Sequence, residues 1–267
     1  PAYSHRRNHV QEGHGNVSRL GAGIRFRTLS EDEVIEDTLN DHKFEAAEKW
    51  LQEVCWRRYW KGWLESRPSV WARFCAERDH QAQALAGSLI LQEAQTGLTG
   101  IEGFDDWVNE LVETAYLHNH ARMWFASIWI FTLKLPWSLG ADFFLRHLVD
   151  GDAASNTLSW RWVAGLHTQN KHYLATVENI VQFTSGRFNP RRKFIDDNAR
   201  PLNWEDFGPQ ELLPEVPEVV AGLRTGLLLT DEDLSPHSWP TGTGGVVALA
   251  VFAKVVMAPL VTRLDRK

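Results

Sequence analysis

Cysteine is nearly missing from this 267-residue chain, which has only Cys55 and Cys75, far apart and outside any CxxC pair. Two thiols cannot build a structural zinc site or an iron–sulfur cluster from this chain alone, and so little cysteine suits a reducing, cytoplasmic setting. A basic surplus is lacking as well. The formal net charge is −6, so no global field draws the chain to nucleic acid, and any DNA contact must come from a local basic face. Runs fit to cross a bilayer are absent too: the apolar stretch from Met123 to Leu133 holds about a dozen residues, too few to span. The C-terminal GGVVALAVFAKVVMAPLV is interrupted by Lys254 and Pro259 and reads as a packed helix. No secretory leader is visible, and no membrane partner is expected.

What the chain has instead is tryptophan. Thirteen of them would ordinarily serve core and rim packing, so abundance alone says nothing about redox chemistry. Their placement says more, because several fall in the stretch from Leu117 to Thr168 together with an arginine, two asparagines and two carboxylates. His118 to Leu135 has no glycine or proline and reads as a helix buried on most sides; Pro136 ends it, and Trp137 to Leu148 reads as a second helix. Asp150-Gly151-Asp152 forms a turn in which Asp152 can cap a third helix carrying Asn156, Trp160 and Trp162. Taken alone, this turn reads first as an ordinary capped turn, since Asp and Gly dominate turns for local reasons. Asn119 and Arg122 share one face of the first helix. An arginine on so apolar a helix is costly to bury without a carboxylate, and Asp150 is the nearest candidate. Such a pair beside an amide can hydrogen-bond a planar heterocycle.

Upstream, Pro1 to Gly23 reads as an extended loop. Within it NVSRLGAG offers the Ser18 hydroxyl, the Arg19 fork and backbone amides at Gly21 and Gly23 to a phosphate, a weak pattern by itself. Ser30 and Glu33 form a capping box for a helix to about Asn40. The next helix runs from Phe44 through Leu64, and Trp50, Glu53, Trp56 and Arg57 lie on one of its faces, either as a packed amphipathic surface with an ion pair or as a site wall. Helices are also expected over Arg73 to Gly97, Asp105 to Ala115 and Lys171 to Phe188. His118 and His120 sit two apart on a helix and point to opposite sides, so no metal site is expected there. Arg187, Arg191, Arg192 and Lys193 form a basic cluster open to two readings, a solvated surface or a DNA-backbone contact.

HNHARM followed by FLRHLVDGDAASNTLSWRW resembles the flavin-binding helical domain of the DNA photolyase/cryptochrome family, where an HNRxRM-type helix precedes an IDGDLAANNGxWQW-type segment. KWLQEVCWRRYW resembles the family's WLNELIWREF helix, and NVSRLGAG its TSRLS diphosphate loop, with Val17 and Gly21 in place of hydroxyl residues. The resemblance implies a mainly α, photolyase-type fold and FAD as cofactor. It implies that Tyr3, Ser18, Arg19, Leu20, Trp50, Arg57, Asn119, Arg122, Asp150, Asp152 and Asn156 surround the cofactor, with Asn156 facing the flavin N5. Arg7, Glu53, Trp56, Asn119, Met123 and Trp162 fall where the family meets a pyrimidine dimer. Trp160 and Trp137 match the flavin-proximal and middle tryptophans of its electron path, whereas no tryptophan stands at the distal position near Ala84.

The likeness ends after Pro190. Residues 1–190 are expected to be the flavin domain, 191–217 a linker or wrapping loop, and 218–267 a strand–helix appendage, with one strand in LRTGLLLTDEDLSP and a helix from Thr243 to Leu264. A lone strand must find a partner. The α/β antenna domain usual in the family is not expected within this sequence. The implied function is FAD-dependent, light-driven repair of cyclobutane pyrimidine dimers in damaged DNA, a lyase reaction. The alternatives are a cryptochrome-like light or redox sensor acting through a protein partner at the C-terminal segment, and a scaffold that has lost its flavin.

Overall fold

In the computed structural model the described residues are 2–212, 225–230, 232–235 and 246–252. They form a helical body whose centre is the helix α8 (Asn119–Ser127), continued by one wide π turn over Ile128–Thr132. Trp124, Phe125 and Trp129 on this unit are fully buried, which explains the absence of polar breaks in its sequence. The expected single helix to Leu135 thus ends in a π turn, a widening that apolar residues on every side do not announce. Trp129 Nε1 donates to the Pro136 carbonyl at 2.9 Å and ties this turn to the start of α9 (Trp137–His147).

Around this centre stand α4 (Phe44–Glu65), α5 (Pro68–Ala84), α7 (Phe104–Thr114) and α10 (Ala153–Ala164), α10 contacting α4, α8 and α9, α5 contacting α4 and α9, and α7 contacting α8. Gly140 on α9 permits this closeness. A Cβ there would stand 2.3 Å from the Trp160 ring of α10 and 2.9 Å from Trp129 Nε1. The Ser30/Glu33 capping box opens α3 (Glu31–Asp41) with both reciprocal hydrogen bonds present.

Several expectations need correction. Pro1 to Gly23 contains the short helices α1 (Ala2–Arg6) and α2 (Gly21–Arg25) and a 3-10 turn at Glu12–His14. The expected helix from Arg73 to Gly97 is broken between Ala84 and the separately capped α6 (Leu89–Thr96), whose Ser88 accepts from the Leu91 N–H. Of Lys171 to Phe188 only α11 (Val177–Phe183) is helical, capped by Thr176. Residues 246–252, expected in a helix, form the strand β2 (Val246–Phe252), which pairs in parallel with β1 (Thr225–Thr230). An unbroken run of valines and alanines carries no period to separate helix from strand, and β-branched residues favour the latter. The rest of that expected helix lies outside the described residues.

Residues 192–212 wrap the body. Leu202 N–H donates to the Ala164 carbonyl, Glu211 N–H to Ser66, and Arg73 to the carbonyls of Asp206 and Phe207. Because Trp160 and Trp129 are hemmed in by the core, Gly140→Ala should overpack the α9–α10 contact and lower unfolding free energy by about 1–3 kcal/mol in urea titrations. A variant as stable as the parent would show that the contact relaxes freely.

Candidate functional site

The loop before α2, the cavity-facing side of α4, the start of α8 and the α9–α10 turn enclose a cavity of about 740 Å³, a size suited to a cofactor. Seventeen of the sequence-predicted site residues line it, from Tyr3 and Arg7 through Ser18–Leu20, Trp50–Arg57, Asn119–Met123 and Asp150–Asn156 to Trp160 and Trp162. Trp137 does not; it is buried behind the wall, on the turn of α9 against which Trp160 rests.

One ion pair organises the wall. Arg122 Nη2 donates to both oxygens of Asp150 at 3.0 and 3.1 Å, while its Nε donates to the Leu117 carbonyl at 2.8 Å. Tyr116 lies beneath two guanidinium groups, Arg19 at 4.9 Å and Arg122 at 5.8 Å from its ring. Gly21 closes the arrangement, because a Cβ there would stand 2.4 Å from Asp150 Oδ2. Of the two residues that depart from the family's hydroxyl pattern, Gly21 is therefore one that needs the smallest side chain.

Asp152 caps α10, accepting from Ser155 N–H at 2.7 Å, and its other oxygen faces Arg57 at 3.7 Å and Lys61 at 3.5 Å. Burial works against its ionisation, yet Arg57, the Ser155 amide and Lys61 together outweigh that and hold its pKa below the ordinary value. Arg25, a buried residue without any local sequence signal, fixes the same turn from below by donating to the Gly151 carbonyl at 2.8 Å. Neither Arg25 nor Lys61 was anticipated; only the fold brings them within reach.

On the opposite wall Arg7 pairs with Glu53 at 2.9 Å and Tyr3 packs edge-on against Trp50. Burial, then the Glu53 charge, push the Tyr3 phenol up to about 12 against the pull of Arg7, so it stays protonated. At the mouth, Trp56 is 48% exposed and stacks on Trp60, and Trp162 is half-buried. Asn156 is anchored by donating to the Ala141 carbonyl at 2.9 Å.

His118 and His120 have separate duties. His118 Nδ1 accepts from the His120 N–H, and burial first, then the cationic side of its surroundings, lower its pKa to about 3, so it is neutral. His120 meets the Asn8 carbonyl and the Tyr173 hydroxyl through its two ring nitrogens. In the basic cluster Arg192 pairs with Glu178 and Asp197, while Arg187 and Lys193 lie over the rings of Phe188 and Phe194.

Of the buried donors lining the cavity, Trp160 Nε1 has no acceptor, whereas Arg57 Nη1 faces Asp152 at 3.7 Å and His118 has the Arg7 backbone as a partner. An orphaned donor in a cavity calls for a ligand that offers an acceptor.

A family model described as the FAD binding domain of DNA photolyase matches residues 50–200. The deoxyribodipyrimidine photo-lyase of Streptomyces griseus is 30% identical over 167 residues, 60% of this chain and 36% of that protein. Its counterpart in Escherichia coli is 30% identical over 185 residues, 67% of this chain and 39% of that protein. The chain therefore spans well under half the length of either relative. A class III photolyase from Agrobacterium tumefaciens shares the fold with a TM-score of 0.57 at 23% identity, covering 70% of this chain and 39% of that one. A Sulfolobus tokodaii photolyase solved with two FAD molecules aligns with a TM-score of 0.55 at 23% identity, covering 67% and 40%. Among the described residues no helix is long and apolar enough to cross a membrane.

Asp152 contributes stability that is present above the ordinary carboxylate pKa and is lost as pH falls through its lower folded value. The stability gap between the wild-type chain and Asp152→Asn should accordingly be constant above about pH 5 and narrow in more acid buffer. Denaturation curves at a series of pH values measure it, and a gap independent of pH would contradict the charge assignment.

Proposed function

The chain belongs to the family of the FAD-binding domain of DNA photolyase, and we propose that its cavity holds FAD and uses it for light-driven reversal of cyclobutane pyrimidine dimers in DNA. The observation that carries this reading is a cavity of about 740 Å³ braced by the Arg122–Asp150 pair and lined by the Arg19 and Arg57 guanidinium groups and by Trp160 Nε1, a buried donor without an acceptor. FAD, with its diphosphate oxygens and ring acceptors, matches such a lining.

When bound and reduced, the flavin supplies light-driven one-electron chemistry. The protein's own contribution is binding and orientation. Ser18, Arg19, Leu20 and the backbone at Gly21 would hold the diphosphate, with Arg57 adding charge. Arg122, Asp150, Asp152, Asn119 and Asn156 would grip the rings and ribose, and Tyr3 and Trp50 would close the side nearest α1. At the mouth, Trp56 and Trp162 would clasp a flipped dimer, repaying its unstacking with aromatic contact. Met123 would line the floor beneath it, while Glu53, Asn119 and Arg7 would meet its polar edges. Trp160, resting on the helix turn that carries Trp137, would relay electrons into the cavity.

A second reading is a light or redox sensor acting through a protein partner. It draws on the docking of residues 232–235 near the site: Glu232 pairs with Lys61 at 2.9 Å and with Arg25 at 3.3 Å, and Leu234 N–H donates to the Phe26 carbonyl.

Blue light, reductant and FAD-loaded protein should restore a dimer-containing oligonucleotide to intact pyrimidines. Trp56→Ala should weaken dimer binding by about 1–3 kcal/mol, the cost of losing one stacking face. Trp160→Phe should abolish photoreduction of oxidised flavin while sparing repair by chemically reduced protein. Bound flavin that photoreduces without any repair would favour the sensor, and a purified chain that takes up no flavin would overturn both readings.

A further inference from the structure

The loop before α2 carries a buried imidazole to which the proposed function assigns no role. His14 ends the 3-10 turn Glu12–His14, and its Nε2 lies 2.5 Å from Glu110 Oε1 on α7. A carboxylate only accepts, so Nε2 is the donor of this pair. The same ring stands edge-on to Tyr116, with 5.0 Å between centres and 62° between planes, and it stacks on His118 at 5.8 Å. Both of those rings line the cavity. His14 thus stands one layer behind the wall, tied to α7 on one side and leaning on the wall with the other.

Tyr116 is the ring against which Arg19 rests, the guanidinium standing 4.9 Å from its centre. Arg19 is exposed and its side chain is long, so without a support it would sample many rotamers. A ligand would then have to order it at the moment of binding, which weakens the hold. We infer that His14, locked by Glu110, is a positioning residue for the diphosphate of FAD: it keeps Tyr116 from tilting, and Tyr116 keeps the Arg19 guanidinium aimed. The inference rests on the proposed reading of the cavity and adds His14, Glu110 and Tyr116 to it.

The loop itself explains why Arg19 needs this help. Val17 is apolar, and Gly21 can carry no side chain because a Cβ would stand 2.4 Å from Asp150 Oδ2. Among its side chains, Ser18 and Arg19 are left to meet a phosphate. An arginine fork grips phosphate through two parallel hydrogen bonds, which demands that its plane be set correctly. The backbone between the two residues is fixed as well. The Asn16 amide donates to the Arg6 and His9 carbonyls at 2.7 and 2.8 Å, and the Val17 N–H donates to the His14 carbonyl at 3.3 Å. His14 and Arg19 therefore belong to one bonded turn, anchored to α7 at its start and to Tyr116 at its end.

A clamp that only held the fold together would act on every ligand alike, and its loss would add to any other loss. A clamp that works by aiming Arg19 behaves differently: once Arg19 is gone it has nothing left to aim. The contact with the Tyr116 ring is made to its face and needs no hydroxyl, whereas the bond from His14 needs an acceptor at position 110.

Titration of the purified full chain with FAD tests this, each variant first being checked for helicity. His14→Leu and Glu110→Leu should each weaken FAD binding by about tenfold. Glu110→Gln keeps an acceptor for Nε2 and should lose less. Tyr116→Phe keeps the ring and should bind nearly as tightly as the wild-type chain, whereas Tyr116→Leu should match His14→Leu. In an Arg19→Leu background, His14→Leu should cost nothing further. Added salt should weaken the wild-type chain more steeply than His14→Leu, since an aimed guanidinium contributes a charge contact that salt screens. A His14→Leu chain that binds FAD as tightly as wild type, or one whose loss is undiminished in the Arg19→Leu background, overturns the inference while leaving flavin binding intact. Should His14→Leu fail to fold, the Tyr116 pair decides: equal affinity in Tyr116→Leu and Tyr116→Phe overturns it too. A wild-type chain that takes up no FAD overturns this inference together with the proposed function.

Discussion

The Arg122–Asp150 ion pair is the constraint on which the site depends. Arg122 leaves a helix whose other faces are apolar, and a guanidinium there is tolerable only while its charge and donors are satisfied. The pair joins α8 to the turn after α9, sets how near the α2 loop can come, and so makes Gly21 a steric necessity. Its partial exposure toward the cavity matters as well, since a fully enclosed pair would have nothing to offer a ligand.

A second layer of charge supports the first. Asp152 serves at once as cap of α10 and as counter-ion to Arg57 and Lys61, while Arg25 holds the intervening Gly151 carbonyl. Glu232 meets Lys61 and Arg25, so the segment after β1 is tied electrostatically to the turn that shapes the cavity. Acidic and basic groups therefore alternate around the turn. This local order has no counterpart in the net charge of the chain, which is why composition says little about what the site can hold.

Local chemistry was legible in the sequence where its signals are local. The Ser30/Glu33 box, the Asp152 cap and the apolar run of α8 each act within a few residues, and each appears where its pattern places it. The cavity lining was legible for another reason: the order of motifs resembles a family, and the fold gathers those residues, including some before residue 50 that the family model does not reach. What stayed hidden depends on distant partners. Arg25 and Lys61 carry no local mark, since each takes its meaning from residues far along the chain. The π turn and the strand at 246–252 stayed hidden because apolar runs have no period to read. The break between α5 and α6 gave only a serine cap and a glycine as warning.

If the ion pair is what readies the cavity for its cofactor, breaking it should be felt at the cofactor. The direct measurement is the affinity of the purified chain for FAD, by titration, for the wild-type protein, Asp150→Asn, Arg122→Leu and the double variant, with helicity checked for each. The expected result is at least about a tenfold loss for each single variant and a loss in the double variant clearly smaller than the sum of the two, revealing coupling between them. Four folded proteins that bind FAD equally tightly would contradict the account.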